Sequence, residues 1–424
     1  MEESSAVPVP NRRRILATFS VAYVLLACGL SVNAALPELR RSIRMSDTVT
    51  SLHGSFFGWG LLVGGLFGSR AIGRVGRLNV LVGACTALGV GAVLFGTAHS
   101  IVQSLLGGAC VGLGGAAVVI TIPGLVADVF GPERNAIFTK LNITPGLGGM
   151  SFPLLLALAP GVGLSWRVPT AVLPASLFVV LGVIVGPLLR TTRSVRTFPA
   201  GRRGSGSSAT TSRDVVALLR HRSVRHRFAL QVLAVGVEFS AGSWLIVFLR
   251  EDGGFSRAAA PLGGVAWAIG LMSARACTSW LIRRLGTALE LCCLVGGIIS
   301  VLTMIGVPSA PVRLVAATAA AFCFGPLYTL GVERLFVNAE ASGVVDTTAV
   351  SALAAVASGV AISVGPFAVG VLADQVGLKS ALLLIPTVAA VGVFACLLRW
   401  GGEAGLSGQL HAAVPSSVGG ASVV

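Results

Sequence analysis

Arg74-Val75-Gly76-Arg77 ends one long apolar run, and Arg283-Arg284-Leu285-Gly286 ends another in the second half of the chain. Gly76 and Gly286 are 210 residues apart. Phe152-Pro153 and Gly365-Pro366 repeat the relation inside two further apolar runs, with Pro153 and Pro366 separated by 213 residues. Two matches at nearly one offset, in the same order along the chain, read as an internal duplication. The runs that carry them are long enough to cross a bilayer, since a helix rising 1.5 Å per residue needs about 20 apolar residues for a ~30 Å hydrocarbon core.

Working outward from these markers, spans fall at 15–36, 49–69, 78–98, 101–124, 137–160 and 168–189. After a polar break they resume at 228–249, 259–282, 287–307, 312–332, 346–371 and 380–398. The expected fold is therefore an all-α integral membrane protein, with twelve transmembrane helices in two pseudo-symmetric six-helix bundles. Residues 1–189 form the first bundle, 190–227 a basic cytoplasmic linker, 228–399 the second bundle and 400–424 a disordered tail. Arg202-Arg203-Gly204-Ser205-Gly206-Ser207-Ser208 makes the linker flexible by composition. From Asp214 to Arg227 the chain reads as a basic amphipathic helix lying on anionic lipid.

Composition agrees with this reading. Hydrophobic residues make up 54% of the chain and charged residues 11%, with a mean hydropathy of +0.88. A soluble domain carries about a quarter charged residues, so a water-facing surface cannot be assembled here. The net charge of +15 would suggest nucleic acid in a soluble protein, but no nucleic-acid motif accompanies it. The basic residues sort by loop instead. With the N-terminus inside, 22 of the 31 lie on the cytoplasmic side and eight outside, with Arg275 within a span. The bias sets both termini in the cytoplasm of a multi-pass cell-membrane protein. Arg40, Arg41 and Arg44, in the first external loop, run against it. Arg12–Arg14 followed by an apolar run and Val32-Asn33-Ala34 would also pass as a cleaved signal peptide. Cleavage would break the six-plus-six count, so a retained first span is expected. The eight cysteines all fall in apolar runs without metal-ligand spacing, and no metal is expected.

Gly68-Ser69-Arg70-Ala71-Ile72-Gly73-Arg74-Val75-Gly76-Arg77 and Gly370-Val371-Leu372-Ala373-Asp374-Gln375-Val376-Gly377 resemble the loop motif of the major facilitator superfamily. The resemblance implies gating roles for Arg74, Gly76, Arg77 and Asp374; Gly73 stands where the family has aspartate. Ser165-Trp166-Arg167 before the sixth span is similar as well. Glu238-Phe239-Ser240-Ala241-Gly242-Ser243-Trp244 and Trp267-Ala268-Ile269-Gly270-Leu271-Met272-Ser273-Ala274-Arg275 resemble the seventh and eighth spans of fucose permease-type sugar:proton symporters. Drug-efflux relatives often carry an arginine in the fourth span, where this chain has Gly108. Their fifth-span motif also departs from Phe152-Pro153-Leu154-Leu155.

An ionisable side chain at mid-span costs ~3 kcal/mol to insert, so each one asks for a reason. Glu238 lies in the middle of the seventh span, with Gln231 two turns before it on the same face and Gly242 one turn after. A carboxylate on a polar stripe suits proton exchange with a water-filled cavity, against a structural hydrogen bond to a neighbouring helix. Arg275 could pair with Glu238 in that coupling, bind an anionic solute, or snorkel to the interface. Asn33, Asn142, Gln231, Trp244, Trp267 and Tyr328 are candidate solute ligands, with interhelical glue or core bulk as the plainer reading of each. His53 near the end of its span has a weaker claim to a proton. At the inner helix ends, Asp128, Glu133, Arg134, Glu333 and Arg334 are expected to form ion pairs that latch the two halves.

No nucleophile elbow, metalloprotease helix or phosphate loop occurs, so no enzyme activity and no cofactor are expected. The function expected is secondary transport of a small organic solute, coupled to protons, by a monomer whose partners are the lipid bilayer, the solute and protons. Efflux of a hydrophobic metabolite or drug is an alternative on the same fold, and a transport-dead membrane sensor is one of another class.

Overall fold

The structure, a computed structural model, describes residues 12–130, 137, 141, 144–191, 217–342 and 347–403. Among them are twelve helices of fifteen residues or more. These are α1 (Arg12–Ser31), α2 (Asp47–Val75), α3 (Arg77–Gly96), α4 (Ile101–Phe130), α5 (Thr144–Leu158) and α6 (Arg167–Thr191). The second set is α7 (Arg222–Glu251), α8 (Leu262–Leu285), α9 (Leu289–Gly306), α10 (Ala310–Ala341), α11 (Thr347–Val376) and α12 (Leu384–Glu403). Among the described residues, nine stretches are apolar and long enough to cross a membrane by themselves. The α2 helix, bent by 45° near Gly65, adds a tenth, and the single stretch Leu262–Gly306 contains both α8 and α9. The apolar part of α6 is shorter, Arg167–Gly182.

The duplication read in the sequence is repeated in the packing. Within the first six helices α1 packs on α5 and α6, α2 on α4, and α3 on α4 and α6. Shifting every number by six gives the second set: α7 on α11 and α12, α8 on α10, and α9 on α10 and α12. The two bundles meet along α2–α11 and α5–α8, a pairing that also maps onto itself under that shift.

Glycine sets how closely these helices approach, because lipid gives no hydrophobic drive and packing must do the work. A Cβ on Gly91 of α3 would lie 2.7 Å from the Gly107 carbonyl of α4, and one on Gly107 would lie 2.9 Å from the Gly91 carbonyl. On the seam between bundles, a Cβ at Gly359 would meet Leu62 at 2.7 Å and the Gly58 carbonyl at 2.8 Å. Glycine also makes the joints. Gly76 ends α2 at φ +81°, ψ 153°, and Gly377 ends α11 at φ +81°, ψ 152°. Both motif glycines therefore turn the chain in one residue, in a conformation that L side chains rarely adopt. Among the described residues nothing lies within 4 Å of where a Cβ on Gly73 would project, so they place no steric demand there.

One expectation about the linker needs correction. Helix α7 begins at Arg222, and Arg227 is buried inside the second bundle, 3.6 Å from Glu290 of α9. Arg334 of α10 pairs with the same carboxylate. The basic stretch thus enters the bundle instead of lying flat on lipid throughout, because Glu290 supplies a buried countercharge that the one-dimensional pattern does not show. Arg220, Arg222 and Arg225 remain exposed. Residues 192–216 and 404–424 lie outside the described residues. Removing one partner of a buried pair costs several kcal/mol, reduced here because Arg334 stays on Glu290. Arg227→Gln should lower stability by about 1–2 kcal/mol, while Arg222→Gln and Arg225→Gln should lie within ~0.5 kcal/mol of wild type. Thermal unfolding in detergent compares the three.

Candidate functional site

Glu238 is placed in the interior by α7, whose residues on that face turn toward α10. Two turns along, the fully buried Gln231 presses its amide against Gly331 of α10, where no side chain would fit. Among the described residues, neither side-chain amide atom of Gln231 has a hydrogen-bond partner. One turn the other way, the indole of Trp267 from α8 lies over Gly242, so close that a Cβ there would sit 2.9 Å from its Nε1. Glu238 itself is only 5% exposed. Arg275 of α8 and Tyr328 of α10 stand within electrostatic reach of it, without a direct ion pair to Arg275 among the described contacts. Arg275 is exposed and Tyr328 is 41% exposed, while Glu238 between them is enclosed.

Glu238, Gln231, Arg275, Trp267 and Tyr328 of the sequence candidates thus share one region of the second bundle. Tyr23 of α1, which sequence reasoning passed over, interacts with Tyr328 from the first bundle. The chain has only two tyrosines, and that count was the available signal.

The other candidates fall elsewhere. Trp244 is 2% exposed and donates its indole N–H to the Pro366 carbonyl of α11 at 3.0 Å, which leaves it no open face for a ring to stack on. Asn33 sits in a 3-10 turn, Val32–Ala35, at the C-terminal end of α1. Asn142 lies outside the described residues. His53 is buried within the first bundle, edge-on to Phe95 with centroids 5.7 Å apart, and its Nδ1 faces the Thr50 carbonyl at 3.2 Å. Arg74 is exposed at the last turn of α2, and Arg77 lies across Gly124 of α4.

Asp374 has a more definite place. Its carboxylate accepts from the Asp47 N–H at 2.7 Å and the Thr48 N–H at 2.9 Å. It caps the N-terminus of α2 from the end of α11, where a negative charge meets unsatisfied N–H groups and the positive end of the helix dipole. Around it lies an ionic cluster between the bundles. Arg40 bridges Asp47 at 2.6 Å and Glu251 at 2.8 Å. Glu38 faces Arg257 at 3.1 Å and Arg250 at 3.9 Å. Deeper along the seam, the Ser55 hydroxyl donates to the Ser363 carbonyl at 2.8 Å.

Ion pairs between the halves thus lie at the end carrying the α1–α2 and α7–α8 loops, the first-loop end. Of the expected inner latch, the described residues show only Glu333 and Arg334, and these two do not join the halves. Arg334 pairs within its own bundle, Glu333 is exposed, and the side chains of Asp128, Glu133 and Arg134 lie outside the described residues. The first-loop cluster also accounts for Arg40, which ran against the charge bias: acidic residues of both bundles hold it there.

The sequence profile of the Major Facilitator Superfamily matches residues 18–356. The puromycin resistance protein pur8 of Streptomyces alboniger is 31% identical over 166 residues, which is 38% of this chain and 30% of that protein. The chain thus matches less than a third of that relative's length. Among solved structures, a bacterial homologue of the human lysosomal transporter Spinster, inward-facing and unoccupied, superposes with a TM-score of 0.73 at 16% identity, covering 92% of this chain and 97% of the other. The nucleoside transporter NupG superposes with a TM-score of 0.71 at 14% identity, covering 91% and 99%. At such identities these two establish the fold alone.

Proposed function

The chain belongs to the Major Facilitator Superfamily: it is a multi-pass membrane transporter and not an enzyme, and we propose that it moves a small organic solute across the cytoplasmic membrane by proton-coupled alternating access. Glu238 carries this reading. It is a buried carboxylate in mid-helix within electrostatic reach of the exposed Arg275 and Tyr328, and intramembrane carboxylates in bundles usually line a pathway. The bundle seam closed at the first-loop end supports a cavity that opens to one side at a time. With both termini in the cytoplasm, that end faces outward.

Efflux of a hydrophobic compound is a second reading, favoured by the partial likeness to a puromycin resistance protein. Gly108, in place of the arginine that efflux members often carry, weighs against a shared mechanism. A thermal-shift screen against sugars, organic acids and hydrophobic drugs identifies a ligand, and proteoliposomes then report counterflow and pH-driven transport of it. Accumulation driven by an imposed pH gradient is the expected result. Binding without counterflow would instead mark a sensor and end the transport reading.

A further inference from the structure

At the first-loop end a shallow cleft, open to solvent, lies where the segment after α1, the end of α5 and the segment leading into α6 face the end of α7 and the segment leading into α8. Its walls are apolar, with Leu156, Trp166 and Pro261 among them, and its polar groups are Glu38, Arg250 and Arg257. One carboxylate therefore serves two guanidinium groups. A third cation stands close by: Arg167 lies 4.6 Å from the Trp166 ring centroid and gives hydrogen bonds to the Gly96 and Ala98 carbonyls, with no acidic partner among the described residues. The cleft is thus cationic with apolar walls. Arg257 is half exposed, so one donor set can be reached from outside.

The surface beside it is equally telling. Leu155, Leu158 and Val162 of the α5 end and Leu262 of α8 are exposed at 40, 58, 70 and 37%. Helix ends place this region at headgroup depth, where the surrounding solvent is itself an amphiphile with acyl chains below and phosphates above. Arginine recognises phosphate through two parallel hydrogen bonds.

We infer that this cleft binds the phosphodiester headgroup of an acidic phospholipid, held by Arg257 and Arg250, with its chains along the exposed leucines. Charge decides the occupant: a zwitterionic lipid brings its own cation to a site already in excess of positive charge. Glu38 is the internal competitor, since its carboxylate occupies both arginines in the unliganded cleft.

The test uses full-length protein in lauryl maltoside and follows thermal unfolding with three added probes. Dioleoyl phosphatidylglycerol should raise the midpoint. Dioleoyl phosphatidylcholine, with the same chains, and glycerol 3-phosphate, with the anion and no chains, should not. Arg257→Gln should weaken the phosphatidylglycerol response about tenfold, the loss of one charge-assisted donor set. Glu38→Gln should strengthen it several-fold by removing the competitor. Should Glu38→Gln fail to fold, Arg257→Gln alone decides. Equal responses to both lipids, or wild-type affinity in Arg257→Gln, would overturn the assignment. Binding of glycerol 3-phosphate as tight as the lipid would overturn it too, by making the ligand a soluble anion.

Discussion

A Glu238→Gln protein should still exchange solute across a vesicle membrane yet fail to accumulate it when a pH gradient is imposed. Glutamine keeps the shape of the protonated carboxyl and its place in the packing of α7 on α10, while removing the proton that coupling would carry. Counterflow requires only that the loaded carrier reorient, so its rate should stay within about threefold of wild type, whereas pH-driven accumulation should fall by about tenfold or more. Arg275 and Tyr328 are the groups within electrostatic reach, and their response separates coupling from architecture. If Glu238→Gln retains full accumulation, the carboxylate is structural and proton coupling through it is wrong. If the variant is unstable, Glu238→Asp with a pH profile of transport takes its place. A shifted profile is then expected, and an unchanged one counts against the idea.

Bulk placed in the seam should hold the first-loop end open. A Cβ on Gly370 would lie 2.7 Å from Ser51 and 2.8 Å from the Asp47 carbonyl, so leucine there cannot be accommodated while α2 and α11 remain in contact. Overpacking of this kind costs ~1–3 kcal/mol, and here the cost falls on the closed arrangement alone. Each 1.4 kcal/mol is a factor of ten, so the open-to-closed ratio should rise by about fivefold to 140-fold. A cysteine at the buried Ser55 gives the readout, through its alkylation rate by an impermeant thiol reagent applied from the first-loop side. Acceleration is expected in the Gly370→Leu background and, less strongly, in Asp374→Asn with Arg40→Gln, which loosens the same end without adding bulk. Unchanged labelling in both backgrounds would mean that this seam does not open.

Several residues show where sequence reading stopped. Glu238 could be found because an acid in mid-span is rare enough to stand out alone, and Arg275 for the same reason. Trp244 stood out as strongly but is packed against α11, since the sequence reports that a tryptophan lies in a span and not which way it turns. Tyr23 offered only the rarity of tyrosine in this chain as a signal, and its meeting with Tyr328 needed the two bundles side by side. The acids that hold Arg40 are Asp47, seven residues on, and Glu251, in the other bundle. No local pattern connects Arg40 to Glu251.

The sequence by itself determined the class of fold. A lipid solvent requires every span to satisfy its own backbone, so length and hydropathy alone specify helices, and the offset between Pro153 and Pro366 specifies two copies. It also determined the joints, because Gly76 and Gly377 turn at a φ that favours glycine whatever surrounds them. Only the tertiary structure decided which charges meet, which aromatic rings are buried, and where ion pairs join the bundles. Those depend on pairs such as Arg227 with Glu290 and Asp374 with the α2 N-terminus, whose members lie 63 and more than 320 residues apart. Their energies exist only once two helices are a few ångströms from one another, and nothing along a single helix encodes that distance.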